Sequence, residues 1–198
     1  MLKRVVVLVS GGGTNLQALI DAQQRGELKN GFLACVISSN PDAYALERAR
    51  QAGISTKVVS RKSYASREAY DEALLAALKE AQADLIVLAG FLLVLGEKVV
   101  KAYDRRMINV HPSLIPSFCG DGYYGLRVHE AALEYGVKVT GATVHFVNEV
   151  TDGGQIILQK AVDIHEDDTP ESLQKRVMEE AEWVLLPKAV SLFCEGKL

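Results

Sequence analysis

The alternation of apolar runs with amphipathic stretches constrains the fold of this chain more than any other feature. Five runs rich in β-branched residues read as strands: Val5–Val9, Phe32–Ile37, Thr56–Ser60, Asp84–Ala89 and Met107–His111. Between them, helical spacing of apolar residues predicts helices over Asn15–Arg25, Ala43–Gln51 and Ser66–Gln82. Near-continuous apolar strands that alternate with helices are typical of a parallel sheet covered on both faces.

The pattern changes after residue 111. A loop rich in glycine and aromatic residues, Pro112–Gly125, precedes a predicted short helix over Val128–Gly136. Two further strand-like runs, Val139–Asn148 and Gln155–Ile164, flank an Asp-Gly-Gly turn, which predicts a hairpin. The sequence therefore predicts one α/β domain over residues 1–198, with a doubly wound, Rossmann-like, mostly parallel sheet that ends in an antiparallel C-terminal hairpin.

The last predicted helix, Pro170–Glu195, has a clear start and an internal interruption. Thr169 is a suitable N-cap, and Pro170 is favourable at the first helical position. Pro187 lies inside the helix, where it lacks the N–H group that an α-helix requires, and we expect a kink or break there.

Composition excludes several classes of protein. The formal net charge is −3 and the isoelectric point is near 5.8, whereas nucleic-acid binding requires a basic surface. The apolar runs are too short for a signal peptide or a membrane span. The three cysteines, Cys35, Cys119 and Cys194, are far apart and form no metal or disulfide pattern. We expect a cytoplasmic protein with no membrane or nucleic-acid partner.

The loop after the first strand, Ser10-Gly11-Gly12-Gly13-Thr14-Asn15, opens the first helix. Glycines allow close backbone approach, and the free N–H groups of a helix start attract anions. The loop lacks the lysine of a Walker A motif, and Leu16 occupies the third glycine position of the dinucleotide motif. We expect the loop to bind the phosphate of a small substrate; the alternative is a tight turn without a ligand.

Asn109, His111 and Asp152 are the candidate catalytic residues. Asn109 and His111 are two positions apart on a strand, so their side chains project from the same face near its carboxyl end. An amide beside an imidazole can stabilise a developing oxyanion. Asp152 would orient His111 and keep it protonated. The alternatives are that Asn109 and His111 satisfy loop backbone groups and that Asp152 is an ordinary turn residue.

The other three histidines are given structural roles. We expect His129 and His165 on the surface, and His145 packed within an alternating strand. The sequence contains no metal-ligating pair such as HExxH, so no metal is predicted.

Five motifs give the chain a resemblance to a known family along nearly its whole length. The motifs are Ser10–Gln17, Leu88–Phe91, Ile108–Pro116, Thr140–Val147 and Asp152–Gly154. Together they resemble the phosphoribosylglycinamide formyltransferases, folate-dependent enzymes of purine synthesis with the formyltransferase fold. The resemblance implies formyl transfer from 10-formyltetrahydrofolate, as co-substrate, to the amine of phosphoribosylglycinamide. It further implies a cis Ile115–Pro116 bond and a protein that is a monomer or a weak homodimer.

The resemblance also implies roles for individual residues. Asn109 and His111 would stabilise the oxyanion, His111 would transfer protons, and Asp152 would pair with it. The ribotide would contact Gly13, Thr14, Asn15 and Glu182, and the folate would contact Asn109, Arg67, Leu92, Leu93, Val94 and Leu95. From sequence alone, Arg67 and Glu182 read as solvated helix charges. The chain departs from some relatives at Leu93, where they have a basic residue, and its Cys119–Gly125 loop is longer than in many members of the family.

Other functions remain possible at this point. Methionyl-tRNA formyltransferase resembles this chain but adds a basic RNA-binding domain. Formyltetrahydrofolate hydrolase adds an N-terminal regulatory domain. A non-catalytic phosphoribosyl- or folate-binding module could keep the Gly11–Asn15 loop, but it would not require Asn109, His111 and Asp152 together.

Overall fold

The computed structural model describes all 198 residues and contains seven strands in one sheet. The strands are β1 (Lys3–Val9), β2 (Gly31–Ser38), β3 (Ser55–Val58), β4 (Leu85–Leu88), β5 (Met107–His111), β6 (Val139–Phe146) and β7 (Ile156–Asp163). Their order is β3-β2-β1-β4-β5-β6-β7. Pairing is parallel from β3 through β5, and β6 is antiparallel to both β5 and β7. The predicted fold class, including the C-terminal hairpin, is confirmed.

Of the seven helices, five connect successive strands and two follow the last strand. They are α1 (Thr14–Gln24), α2 (Tyr44–Gln51), α3 (Arg67–Glu80), α4 (Glu97–Ala102), α5 (Leu126–Tyr135), α6 (Pro170–Val177) and α7 (Trp183–Cys194). A short 3₁₀ turn covers Arg61–Ser63. Helix α4 is absent from the sequence prediction because it has only six residues, of which Val99 and Val100 alone are buried. That is too short for helical periodicity to be recognised.

Apolar side chains fill both faces of the sheet. Along β1, Val5, Val7 and Val9 pack in one cluster with α1, α2, α6 and α7. Val6 and Leu8 point the other way, into a second cluster with α3 and α4. Because successive strand residues face opposite sides, a strand buried on both sides must be apolar at every position. This is why Val5–Val9 contains no polar residue.

The C-terminal helix is interrupted, but not at Pro187 as predicted. A π turn over Met178–Glu182 separates α6 from α7, and Pro187 lies within α7. The N-terminal prediction is confirmed, since the Thr169 hydroxyl accepts a hydrogen bond from the Ser172 N–H in a capping box. The missing N–H of Pro187 costs one helical bond, which the flanking turns of a buried helix tolerate.

The winding of the sheet reverses between β1 and β4. The chain runs from β1 outward to β2 and β3, then returns to β4 on the other side of β1. The loops after β1 and β4 therefore leave the same edge in opposite directions, which creates a crevice at the carboxyl ends of the strands. No helix in the chain combines the length and the apolar character needed to cross a membrane.

Candidate active site

The glycine loop after β1 is shaped by close packing against α2. Gly13 precedes α1 with φ +75°, in the left-handed region that favours glycine, and no side chain caps the helix. A Cβ at Gly13 would lie 2.6 Å from the Cβ of Ala45. The backbone conformation and the close contact with α2 therefore both require glycine at this position. The first N–H groups of α1 have no capping side chain.

A buried amide–carboxyl pair lies directly behind this loop. The Nδ2 of Asn15 donates a hydrogen bond to the Oε2 of Glu182 over 2.6 Å, and both residues are less than one-tenth exposed. Burial raises the pKa of Glu182 to about 7, although the Asn15 hydrogen bond acts in the opposite direction. Glu182 ends the π turn, a feature that frequently marks functional sites. The reading of Glu182 as a solvated helix charge is thus wrong.

The three candidate catalytic side chains meet at the ends of β5 and the β6–β7 hairpin. The Nδ1 of His111 lies 3.4 Å from the Oδ2 of Asp152. The Nδ2 of Asn109 lies 3.4 Å from the Oδ1 of Asp152. The His111 ring is almost fully buried, and its Nε2 lies 2.9 Å from the carbonyl oxygen of Phe118. The fold therefore brings Asp152 into contact with His111 and Asn109, which precede it by 41 and 43 positions. Their spacing in the sequence alone could not establish this contact.

The pKa values at this cluster differ from the expectation of a protonated histidine. Burial lowers the pKa of His111 below its ordinary value, and the Asp152 charge and the Phe118 carbonyl only partly offset burial. Burial raises the pKa of Asp152, but contacts with His145 and His111 and the Gly120 N–H outweigh it, so that this pKa is lowered overall. The resting site therefore favours a neutral imidazole beside an ionised carboxylate.

Two histidines behave differently from their sequence interpretation. His129 is fully buried on α5 rather than at the surface, because it shares the inward face with Val128 and Ala132. Burial lowers the pKa of His129 to about 4. His145 is buried as predicted, yet its Nε2 also lies 3.2 Å from the Nδ2 of Asn109. Its register opposite Asn109 across β5 and β6 was the signal that could have identified it as a site residue. His165 is exposed, as expected.

A cavity of 510 Å³ opens in front of the three candidate catalytic side chains. Its lining includes Asn109, His111 and Asp152, together with the segment Leu92–Leu95 and the Gly120–Gly125 loop. Arg67 lies outside this lining, and its Nη2 donates to the carbonyl oxygen of Val94 over 2.9 Å. The predicted cis Ile115–Pro116 bond is confirmed. The cavity is mixed apolar and polar, as expected for a small-molecule site.

The Cys119–Gly125 loop is attached to the carboxylate of Asp152. The Gly120 N–H donates to the Oδ2 of Asp152 over 2.9 Å. The hydroxyl of Thr151 donates to the Oδ1 of Asp121 over 3.2 Å, joining the same loop to the hairpin turn. This loop thus closes one side of the cavity. No group of three or more histidine, cysteine or carboxylate side chains is arranged to hold a metal ion.

Comparison with known proteins defines the class of protein that this fold and site represent. The family model described as formyl transferase matches residues 3–190. Phosphoribosylglycinamide formyltransferase of Escherichia coli is 42% identical over 194 residues, covering 98% of this chain and 88% of that protein. The trifunctional purine biosynthetic protein adenosine-3 of Drosophila melanogaster is 46% identical over 195 residues, but the match spans only 14% of its length.

Solved structures agree with the sequence matches. The glycinamide ribonucleotide transformylase 1 structure from Symbiobacterium toebii superposes with a TM-score of 0.92 at 45% identity, covering 98% of this chain and 89% of that one. The Brucella melitensis phosphoribosylglycinamide formyltransferase structure gives 0.90 at 40% identity, with 100% and 98% coverage. The chain belongs to the formyl transferase family and, within it, to the phosphoribosylglycinamide formyltransferases.

Proposed function

We propose that this chain transfers the formyl group of 10-formyltetrahydrofolate to the amine of 5-phosphoribosylglycinamide. The products are formylglycinamide ribonucleotide and tetrahydrofolate, as a step of purine synthesis. The observation that carries the proposal is the meeting of Asn109, His111 and Asp152 at the wall of the 510 Å³ cavity. Residues 1–198 act as one formyltransferase domain.

The reaction requires charge stabilisation at the formyl oxygen. When the amine nitrogen bonds to the formyl carbon, the carbonyl π electrons move onto oxygen and a tetrahedral oxyanion forms. The Asn109 amide is a neutral donor at this position, and its Nδ2 is oriented by contacts with His145 and Asp152. The 3.4 Å contact with Asp152 is the longer of the two, so this N–H turns to the oxyanion while the contact with His145 keeps the amide oriented.

His111 accepts the proton that the attacking amine loses. Its Nε2–H donates to the carbonyl oxygen of Phe118, so the neutral ring carries its lone pair on Nδ1, next to Asp152. Protonation at Nδ1 creates a second N–H, which the Asp152 carboxylate stabilises. The oxyanion then collapses, the bond from carbon to N10 of the folate breaks, and His111 returns the proton to N10.

The two substrates enter from opposite sides of the catalytic cluster. The ribotide phosphate binds the backbone at Gly13, Thr14 and Asn15, and Glu182 accepts hydrogen bonds from the ribose. The folate lies along Leu92–Leu95, with its pterin held by backbone groups of that segment and its formyl group at Asn109. The support is that Leu92–Leu95 and Asn109 line one cavity, while Glu182 bonds to Asn15 behind the phosphate loop. Arg67 acts on the folate side by fixing the carbonyl of Val94.

No resident metal takes part in this reaction scheme, since amine attack on an activated formyl amide requires only proton transfer and oxyanion stabilisation. We place the enzyme in the cytoplasm, because its three cysteines are unpaired, as is usual in a reducing compartment. We further propose that it acts as a monomer or a weak homodimer, since all proposed site residues belong to one chain. Light scattering across protein concentrations tests this.

A formyl-transfer assay tests the function directly. Purified protein receives 10-formyltetrahydrofolate with and without phosphoribosylglycinamide, and tetrahydrofolate and the formylated ribotide are measured. We expect both products only when the ribotide is present, and a loss on the order of 10²-fold or more in kcat for His111→Ala. The surface variant His165→Ala is the matched control. Folate deformylation without ribotide would indicate a hydrolase, and binding without turnover would indicate a non-catalytic module.

A further inference from the structure

The shortest contact of the Asp152 carboxylate comes from the backbone of Gly120. The Gly120 N–H donates to the Oδ2 over 2.9 Å, whereas the Nδ1 of His111 lies 3.4 Å from the same oxygen. At the other oxygen, Oδ1, the Nδ2 of Asn109 lies at 3.4 Å and the Nε2 of His145 at 3.6 Å. Only the 2.9 Å distance is that of an ordinary N–H···O hydrogen bond. The Gly120 N–H therefore orients the carboxylate more firmly than the three side chains around it.

The same segment of backbone also holds the imidazole of His111. The carbonyl oxygen of Phe118 lies 2.9 Å from the Nε2 of His111, which places the lone pair of the neutral ring on Nδ1, facing Asp152. Because Phe118 and Gly120 are two residues apart, a displacement of this segment changes both contacts together. The relative position of the imidazole and the carboxylate thus depends on one short stretch of the loop.

The backbone at both ends of these contacts has an uncommon conformation. Phe118 has φ +49° and Asp152 has φ +54°, in the left-handed region that residues with a side chain rarely adopt. Such conformations persist only where surrounding contacts hold them. The ring of Phe118 is packed edge-on against Tyr123 and Tyr135, with centroid distances of 6.4 and 5.9 Å. The turn that carries Asp152 requires an anchor of its own.

A second hydrogen bond supplies that anchor, next to the first. The hydroxyl of Thr151 donates to the Oδ1 of Asp121 over 3.2 Å. Adjacent residues of the loop, Gly120 and Asp121, therefore bond to adjacent residues of the turn, Asp152 and Thr151. The Asp152 side chain is 9% exposed, whereas Thr151 and Asp121 are both exposed. The outer bond can therefore be removed without a substitution inside the buried cluster.

We propose that Asp121 and Thr151 are positioning residues, whose bond holds the Gly120 N–H against Asp152 and the Phe118 carbonyl against His111. The proposal rests on the proposed function, because the geometry it preserves is that of proton transfer during formyl transfer. A reacting pair that leaves its productive geometry loses rate, whereas substrate binding is unaffected. The bond therefore contributes to kcat, and it does so through the imidazole and the carboxylate.

Four single variants test whether this bond sets the rate. Thr151→Val and Asp121→Ala remove it, whereas Thr151→Ser keeps a donor and Asp121→Asn keeps an acceptor. The two removals lower kcat by about 3- to 10-fold, the range for one hydrogen bond, and leave the KM of both substrates unchanged. The two conservative variants stay close to wild type. Because both removals break the same bond, the double variant Thr151→Val with Asp121→Ala loses no more than either single variant.

A second background shows whether the bond acts through the imidazole. In a His111→Ala background, Thr151→Val lowers kcat no further, because both contacts that the bond holds act on His111. The matched control is Glu130→Gln, which removes a charge from the exposed face of α5 and leaves kcat unchanged. An equal loss of kcat in the His111→Ala background, a raised KM with wild-type kcat, a Thr151→Ser variant as slow as Thr151→Val, or additive losses in the double variant would each overturn the proposal.

The amide proton of Gly120 gives a readout that needs no turnover. In NMR spectra of the protein without substrates, Thr151→Val moves this resonance upfield, because the N–H loses its charged acceptor, and Thr151→Ser leaves it in place. If the resonance moves in this way but wild type catalyses no formyl transfer, the proposed function fails while the positioning of Asp152 by this bond stands. If formyl transfer occurs and the resonance stays in place in Thr151→Val, the positioning role fails while the proposed function stands.

Discussion

Replacing Glu182 by glutamine tests the electrostatics of the buried carboxyl behind the phosphate loop. Glutamine keeps the shape of the side chain and an oxygen that can accept the Asn15 hydrogen bond, but it cannot ionise. Burial raises the pKa of Glu182 from 4.5 to about 7. The folded protein therefore binds this proton more tightly than the unfolded chain does.

The sign and size of the effect follow from that difference. Between pH 4.5 and about 7 the folded state holds more protons, so the contribution of Glu182 to stability is complete below this range and is lost as pH rises through it. A shift of this size corresponds to about 3 kcal/mol. For a chain of this length, that is a difference in Tm of roughly 6–12 °C. Glu182→Gln removes this loss of stability. The free energy of unfolding of the variant therefore equals that of wild type near pH 4.5 and exceeds it at pH 8.

Urea denaturation of wild type and Glu182→Gln from pH 4.5 to pH 8 measures the effect as a difference. The free energies of unfolding of the two proteins are subtracted at each pH, because His129 also makes stability depend on pH. Burial lowers the pKa of His129 to about 4, so stability falls with decreasing pH below pH 6.5 in both proteins, and this effect cancels in the subtraction. Glu180→Gln, on the exposed side of the same turn, is the control and shows no pH-dependent difference. A constant gap between wild type and Glu182→Gln at every pH would refute a buried carboxyl with a raised pKa.

Three further substitutions have defined outcomes. Asp152→Asn lowers the pKa of His111, which an NMR titration measures, and lowers kcat on the order of 10²-fold with much smaller changes in KM. If the variant keeps the His111 titration and the kcat of wild type, Asp152 acts only as a turn residue. Gly13→Ala places a methyl against Ala45 in a left-handed backbone, so steady-state kinetics should show a raised ribotide KM and an unchanged folate KM; equal losses would contradict this. His129→Leu removes the loss of stability that wild type shows as pH falls from 6.5 to about 4, measured by urea denaturation at each pH. If the variant loses as much stability in acid as wild type does, burial of His129 is not the cause.

The fold could be predicted from sequence because its signals are local. A strand such as Val5–Val9, buried on both faces, must be apolar throughout, and Gly13 must adopt a positive φ. Helix α4 gave no comparable signal because it has only six residues, and the π turn over Met178–Glu182 has no local sequence signal either. The break assigned to Pro187 shows the limit of local rules, because Pro187 lies within the buried helix α7 and the interruption lies at Met178–Glu182.

The site could be predicted only in part, because its contacts join residues that are distant in the sequence. Asn109 and His111 were found from alternation on one strand, but their contact with Asp152 is set by the pairing of β5 with β6 and by the hairpin turn. His145 was missed as a site residue although it pairs with Asn109 in register. Net pKa shifts could not be predicted at all, because the burial that dominates the pKa of His111 is a property of the folded chain.

The protonation states of the proposed catalytic pair, His111 and Asp152, favour one order of events. A neutral His111 beside an ionised Asp152 can accept a proton, and the imidazolium that forms has the Phe118 carbonyl and the Asp152 carboxylate as its two acceptors. Both partners interact more strongly with the charged ring than with the neutral one, so the stabilisation grows as the amine attacks, which is the requirement for catalysis rather than for binding. The enzyme should therefore lose kcat/KM as pH falls below the lowered pKa of His111, and Asp152→Asn should move that acid limb to still lower pH while reducing the plateau.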